Sequence, residues 1–203
     1  MSATSATKAV FICSAKRTAF GAFGGSLSSH TATDLATHAG TAAIKSAGLS
    51  PDKVDQVIMG NVIQSSRDAA YLARHVALRA GCRVDVPGLV VNRLCASGFE
   101  AIVAAARLIE LDEADVVLAG GTESMTQAPF AVRNVRFGTM LGKTYEFEDV
   151  LWQGLTDQYI QTPMGITAET LGAKYNVTRE ECDKFAERSQ RLWKLGHTAL
   201  ERK

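Results

Sequence analysis

Cysteine is scarce in this chain and widely spaced. Cys13, Cys82, Cys95 and Cys182 form no C-x-x-C pair among the 203 residues. That argues against a zinc site or a disulfide framework, and it fits a reducing compartment. No apolar run is long enough to span a membrane, and no secretory h-region stands near the start. Neither sign of charge dominates. The formal net charge is +1, which gives no reason to expect nucleic acid or a polyacidic partner. Acid is missing altogether from residues 1–33, which hold Lys8, Lys16 and Arg17. With Ser and Thr at the start, this stretch fits either a mitochondrial import signal or a short tail ahead of a strand. Gly21, Gly24 and Gly25 lack the G-x-G-x-x-G spacing after a strand, which argues against a dinucleotide site.

What is present is an ordinary globular composition, 46% apolar, sufficient for one large domain or two small ones. Ala9–Ser14 reads as a buried strand around Val10, Phe11 and Ile12. Thr31 and Asp34 have the spacing of a capping box. The helix after them carries Leu35, Ala36, Ala39, Ala43, Ile44 and Ala47 and stops at Gly48. Ser50-Pro51-Asp52 reads as a one-turn helical start. Val57–Ile63 is the second strand. Asp68 can cap a helix carrying Tyr71, Leu72, Val76 and Leu78 that ends near Gly81. Val86–Leu94 is the third strand, and Val116–Ala119 the fourth, stopped by Gly120-Gly121. This βαβαβαβ order predicts an α/β fold whose mostly parallel sheet is covered by helices on both faces. Ligands in such sheets sit beyond the carboxyl ends of the strands.

Residues 122–165 are irregular, with Pro129, Arg133, Arg136, Gly138 and Gly142 followed by Glu146, Glu148 and Asp149. A loop of this length usually carries a function or an interaction surface. Thr167 can cap a short helix through Tyr175. Thr178 and Glu181 form another capping box. The last helix carries Cys182, Phe185, Ser189, Leu192 and Gly196 on one stripe and runs to Lys203 with no stop signal.

The chain is organised around the junction of the third strand with the helix that follows. Ser97 and Glu100 have S-x-x-E spacing, so a helix should start near Ser97. From Phe99 to Leu111 it is apolar on nearly every side, the mark of a helix buried all round. Cys95 stands just before its N-terminus. Free backbone N–H groups and the positive end of the helix dipole favour negative charge there, on a thiolate or a developing oxyanion. Gly98 leaves room for a ligand near the backbone. Two readings of Cys95 follow: a nucleophile, or a small buried hydrophobe.

Asn92-Arg93-Leu94-Cys95-Ala96-Ser97-Gly98-Phe99 resembles the acyl-enzyme signature of the thiolases, with Cys95 in the nucleophile's place. Gly120-Gly121-Thr122-Glu123-Ser124-Met125 resembles the family's second N-terminal motif. Lys16-Arg17-Thr18, Gly60-Asn61-Val62 and Tyr71-Leu72-Ala73-Arg74-His75 match in order. The resemblance runs from Val10 to about Lys194 and is strongest toward the mitochondrial 3-ketoacyl-CoA branch.

The resemblance implies a thiolase-like first core over residues 1–121 and the start of an inserted, partly helical loop domain over 122–203. It also implies that the second core domain is absent here, since no Gly-His-Pro follows the loop region and no late Cys-x-Gly occurs. It implies Cys95 as the catalytic residue, Ser97 and Gly98 as oxyanion or turn support, and Met164 lining an acyl pocket, with packing as the plainer role for Met164. It implies no metal and no tightly bound cofactor, with coenzyme A as co-substrate and acyl-CoA as substrate. A complete chain would be a homodimer or homotetramer, with Val86–Leu94 near one subunit contact and residues 126–142 near another. The location it implies is the mitochondrial matrix, with the cytoplasm as the alternative.

Other residues offer fewer roles. His30, His38, His75 and His197 show no arrangement of base and orienting group around Cys95, so a cysteine hydrolase is disfavoured. Glu123 is an acid or base, or a brace for the turn it opens. Arg133 and Arg136 meet phosphate, or form an oligomer contact or a solvated face. Two functions of different class remain. One is thiolytic cleavage of 3-ketoacyl-CoA, or the reverse condensation, through an acyl-cysteine. The other is an inactive fragment that acts only by subunit association.

Overall fold

A computed structural model describes residues 8–201, with side chains through residue 196. The first seven residues, the ring of His197, and residues 202–203 lie outside that range, and with them part of the import reading and the expectation that the last helix runs to Lys203. The chain divides into two compact units, Met1–Leu151 and Trp152–Lys203.

The first unit is built by alternation. Its elements are α1 (Ala32–Ser46), β1 (Gln56–Gly60), α2 (Leu72–Arg79), β2 (Gly88–Val91), α3 (Ser97–Glu110) and β3 (Val117–Gly121). The strands are parallel and lie in the order β2-β1-β3. Because side chains alternate along a strand, β1 feeds both layers. Val57 and Met59 face α1 and α2, packing with Ala36, Ile44, Leu72 and Val76. Ile58 faces α3, against Ala101 and Ala105. A parallel strand buried on both faces needs helices on both, and the fold supplies them.

Local signals set the helix starts. Thr31 Oγ1 accepts from the Asp34 N–H at 3.1 Å, and an Asp34 carboxylate oxygen accepts from the Thr31 N–H at 3.0 Å. Gly48, at φ +68°, stops the chain beyond α1. Pro51 opens a short 3-10 turn, Pro51–Lys53. Glycine allows two close packings. A side chain at Gly88 would meet the backbone of Arg74 at 2.6 Å, and one at Gly60 would meet the backbone of Ser97 at 2.4 Å.

Four expectations are corrected. Ala9–Ser14 forms no strand, and Phe11 and Ile12 lie exposed. Strand propensity needs a ladder to pair with. This segment has one end held near the start of β3, where Lys8 meets Asp115 at 2.7 Å, but makes no ladder with it. Asp68 does not cap α2. A 3-10 turn, Ala69–Tyr71, intervenes, and the carboxylate accepts from the Ser66 hydroxyl at 2.7 Å and from Arg79 at 3.1 Å. α3 is covered on one side only, with Phe99 69% and Ile102 47% exposed. Thr167 lies inside a helix that already starts at Met164, so it caps nothing.

After β3 the first unit continues through a 3-10 turn, Met125–Gln127, and a short antiparallel pair, β4 (Phe130–Ala131) with β5 (Glu148–Asp149). Arg133 donates to Glu148 beside it at 2.7 Å. The short helix α4 (Val150–Gly154) spans the division between the units. The second unit holds β6 (Thr156–Asp157) paired antiparallel with β7 (Thr162–Pro163), then α5 (Met164–Lys174) and α6 (Arg179–Glu201). α6 opens on the expected box, Thr178 with Glu181. No described residue of the second unit is buried.

Candidate active site

Three strand ends and one helix start converge at the carboxyl edge of the sheet. β2 ends at Val91, and the chain must then reverse into α3 within five residues, Asn92 to Ala96. It does so by placing Leu94 in the left-handed region at φ +50°. For a residue with a Cβ this costs roughly 1–2 kcal/mol, and local hydrogen bonds hold it. Asn92 Oδ1 accepts from the Leu94 N–H at 3.0 Å. The Leu94 carbonyl accepts from the Ser97 hydroxyl at 2.6 Å and from the Ser97 N–H at 3.0 Å. Ser97 Oγ accepts in turn from the Arg93 N–H at 2.8 Å.

The S-x-x-E spacing at this point is therefore not a capping box. Ser97 is already the first residue of α3, behind Ala96, and its hydroxyl serves the loop. Glu100 instead accepts from the Arg93 guanidinium at 2.8 Å and lies 3.8 Å from that of Arg107.

Cys95 sits at the crest of this turn, exposed, two residues before the first residue of α3. The start of α3 rests directly on the strand ends. A side chain at Gly121 would meet Gly98 Cα at 2.8 Å, and Gly60 faces Ser97 and Gly98 equally closely. Three glycines thus bring the helix N-terminus down onto β1 and β3 with no side chain between, so its free N–H groups stand at the carboxyl edge, where sheets of this kind bind ligands.

Around the same edge lies a buried polar knot. The Asn61 N–H donates to the Val91 carbonyl at 3.1 Å, and the Thr122 N–H to that of Gly60 at 2.9 Å. Asn61 Nδ2 donates to Glu123 Oε1 at 2.9 Å and to the Thr122 carbonyl at 3.0 Å. Glu123 Oε2 accepts from the Val62 N–H at 3.0 Å. Burial pushes the Glu123 carboxyl up, while the Val62 and Ile63 N–H groups and the Asn61 amide pull the other way. Of its two sequence readings, Glu123 has the geometry of the brace. In the sequence Asn61 stands out only within Gly60-Asn61-Val62. An Asn just past one strand and a Glu just past another was the available signal.

The remaining candidates lie elsewhere. His75 Nδ1 meets Asp68 at 3.2 Å and its ring stacks on Tyr71 at 5.7 Å. His38 lines a surface hollow with Asp34, Thr37, Lys45 and Arg79. Among the described residues no hydrogen bond joins Cys95 to a histidine, and no group of His, Cys, Asp and Glu has the makings of a metal site. Met164 begins α5 in the second unit, its N–H bonded to the Leu155 carbonyl at 3.1 Å. Arg133 and Arg136 line a hollow with Asn134 beside β4.

The chain is similar to known proteins over most of its length. The chain is 56% identical to human mitochondrial 3-ketoacyl-CoA thiolase over 192 residues, which cover 95% of this chain and 48% of the relative. The crystal structure of the human protein in complex with CoA superposes with a TM-score of 0.92 over 95% of this chain and 49% of that one. The Bacillus anthracis acetyl-CoA acetyltransferase, 41% identical, superposes with a TM-score of 0.86 over 92% and 47%. The chain spans about half the length of the relatives it matches. The thiolase N-terminal domain family matches residues 10–199, across the cysteine turn, its glycine seat and the polar knot, and the chain belongs to the thiolase family.

Proposed function

We propose that this chain carries the nucleophile half of a thiolase-type acyltransferase, with Cys95 as its catalytic residue. The observation that carries the reading is an exposed cysteine on a hydrogen-bonded turn at the N-terminus of α3. The Cys95 thiolate attacks the keto carbon of a 3-ketoacyl-CoA. The bond between Cα and Cβ breaks, the electron pair stays on the departing enolate, and protonation releases acetyl-CoA. The shortened acyl group remains on Cys95 until the thiol of a second coenzyme A takes it. Condensation of two acetyl-CoA is the same path reversed. Ser97 and Gly98 shape the seat in which the oxyanion forms. Residues 1–121 act as the first core and 122–203 as the start of the loop domain, with Met164 toward the acyl chain. The complete protein works as a homodimer or homotetramer in the mitochondrial matrix, as the relatives' names suggest for location.

The test is kinetic. In a complete thiolase polypeptide whose first half is residues 1–203, Cys95→Ser should lower kcat for acetoacetyl-CoA thiolysis by orders of magnitude. A hydroxyl at its ordinary pKa is a far weaker nucleophile. Turnover equal to the unsubstituted protein would end the acyl-cysteine reading.

A second reading, association without catalysis, is favoured by the apolar face of α3, where Phe99 and Ile102 are exposed. A patch of this kind on a helix marks an interaction surface. Cys95-dependent turnover by the complete polypeptide supports the first reading, and the same assay on residues 1–203 alone tests the second. Without a base for the incoming thiol and an acid for the enolate, each worth about 10²–10⁴-fold, little turnover is expected.

A further inference from the structure

We propose that Glu123 is a positioning residue for Cys95, acting through Asn61 and the end of β2. The proposal rests on the acyl-cysteine reading above and adds to it the group that holds the nucleophile's turn in place. The path is continuous. Glu123 opens the loop after β3, and its carboxylate gathers three donors from the loop after β1: the Asn61 amide at 2.9 Å, the Val62 N–H at 3.0 Å and the Ile63 N–H at 3.3 Å. Asn61, 5% exposed, is thereby fixed. Its own N–H holds the Val91 carbonyl at 3.1 Å. Val91 is the last residue of β2, and the next residue, Asn92, holds Leu94 in its left-handed conformation at 3.0 Å. Cys95 follows directly.

A second contact reaches the same turn from below. Gly60, adjacent to Asn61, supports the backbone of Ser97 and Gly98 so closely that no Cβ fits between them. Displacing the loop after β1 therefore displaces both the strand end that launches the cysteine turn and the floor under the helix start that faces Cys95. A carboxylate suits this place because it is acceptor-only, with sites for several donors at once. An amide must turn a donor toward donors.

The four cysteines make the test internal to the chain. Cys82 is buried in the core beneath α2 and reports general unfolding; Cys13 and Cys182 are exposed and serve as references. Limiting iodoacetamide, quenched over time and read by peptide mapping, gives a rate for each. In Glu123→Gln the Cys95 rate relative to Cys13 and Cys182 should fall about fivefold, the factor that one net hydrogen bond is worth, while Cys82 stays protected. A merely structural role would expose Cys82 and leave that ratio unmoved.

Should Glu123→Gln expose Cys82, Asn61→Ser is read in the same way, since it keeps the backbone bond to Val91 and removes only the amide. An unchanged Cys95 ratio with Cys82 protected overturns the proposal, as does exposure of Cys82 in both variants. Cys95 reacting no faster than Cys13 and Cys182 in the unsubstituted chain removes the acyl-cysteine reading itself, and the proposal with it.

Discussion

α1 and α6 begin in the same way and end in different company. Each opens on a threonine whose hydroxyl accepts from the third N–H of its helix, answered by a carboxylate on the threonine's own N–H. Each carries an apolar stripe. The stripe of α1 lies against α2 and β3, with Ala36 and Ile44 buried. That of α6 leaves Phe185 69% exposed. α6 has local support instead, through the i,i+4 pairs Arg179–Asp183 at 3.1 Å and Lys184–Glu180 at 2.7 Å, each worth only tenths of a kcal/mol. The pair of helices separates two things often read as one. Capping chemistry decides where a helix starts, and the presence of a facing layer decides whether its stripe becomes core. Most helical stability comes from the second.

The sharpest way to break the comparison is truncation on each side of it. Leu72→Ala, at a fully buried position beneath α1, should cost about 2–5 kcal/mol by lost transfer energy and the cavity left behind. Phe185→Ala on α6 should change stability by no more than about 0.5 kcal/mol. Urea unfolding followed by circular dichroism measures both. Equal losses would mean that the α6 stripe is covered after all.

Acid should divide the units next. Thr31's hydrogen bonds, helped by Arg79, hold Asp34 below the usual carboxylate range. Burial pushes Asp68 up, but its hydrogen bonds from Ser66 and His75, with Arg79 alongside, outweigh that and hold it low. Both carboxylates favour the charged form when folded. Their stabilisation is therefore complete above the ordinary carboxylate range, near pH ~4, and is lost as pH falls through the lowered folded values. Amide exchange across α1 and α2 should accelerate in that window. Exchange that is flat down to the ordinary carboxylate range and below would contradict it. Among the described residues of the second unit only Glu181 is held low, by Thr178, so acid there should loosen no more than the first turn of α6.

The smallest effect comes from the caps. Thr31→Ala should cost about 1 kcal/mol and lower the thermal midpoint of the first unit. Thr178→Ala should fray the start of α6, visible as faster exchange at Glu181 and Cys182, with no shift in that midpoint. A common shift in both variants would show that the two units melt together.

Much of this fold was legible because it is locally written. The two capping boxes, the stop at Gly48, the turn at Pro51 and the apolar runs of β1, β2 and β3 each depend on a few neighbouring residues. What failed depended on something outside the window. Val10-Phe11-Ile12 has strand composition, but a strand exists only where a ladder receives it. Ser97 and Glu100 have capping spacing, but spacing does not say whether Ser97 precedes the helix or begins it. Here a left-handed Leu94 takes up the hydroxyl. Gly60 reads as part of the second strand and Gly121 as the stop of the fourth, and only the approach of α3 shows that they form its seat. At the candidate site, the place of Cys95 between the third strand and the helix that follows was legible from the strand-to-helix junction. The knot of Asn61 and Glu123 was half legible: the brace is one of the two readings Glu123 allows, but its anchor on β2 is a contact between residues 30 apart in the sequence, Asn61 and Val91.

The claim that Cys95 becomes acylated can be met head on. A complete thiolase polypeptide with residues 1–203 as its first half is mixed with acetoacetyl-CoA in the absence of free coenzyme A, quenched in acid within seconds, digested and mapped by mass spectrometry. With no thiol to carry the acyl group away, attack on the keto carbon should leave one acetyl group on the peptide that contains Cys95 and release acetyl-CoA in equal amount. Acetyl on the Cys13, Cys82 or Cys182 peptide instead, or acetyl-CoA formed with the Cys95 peptide unmodified throughout, would contradict the account.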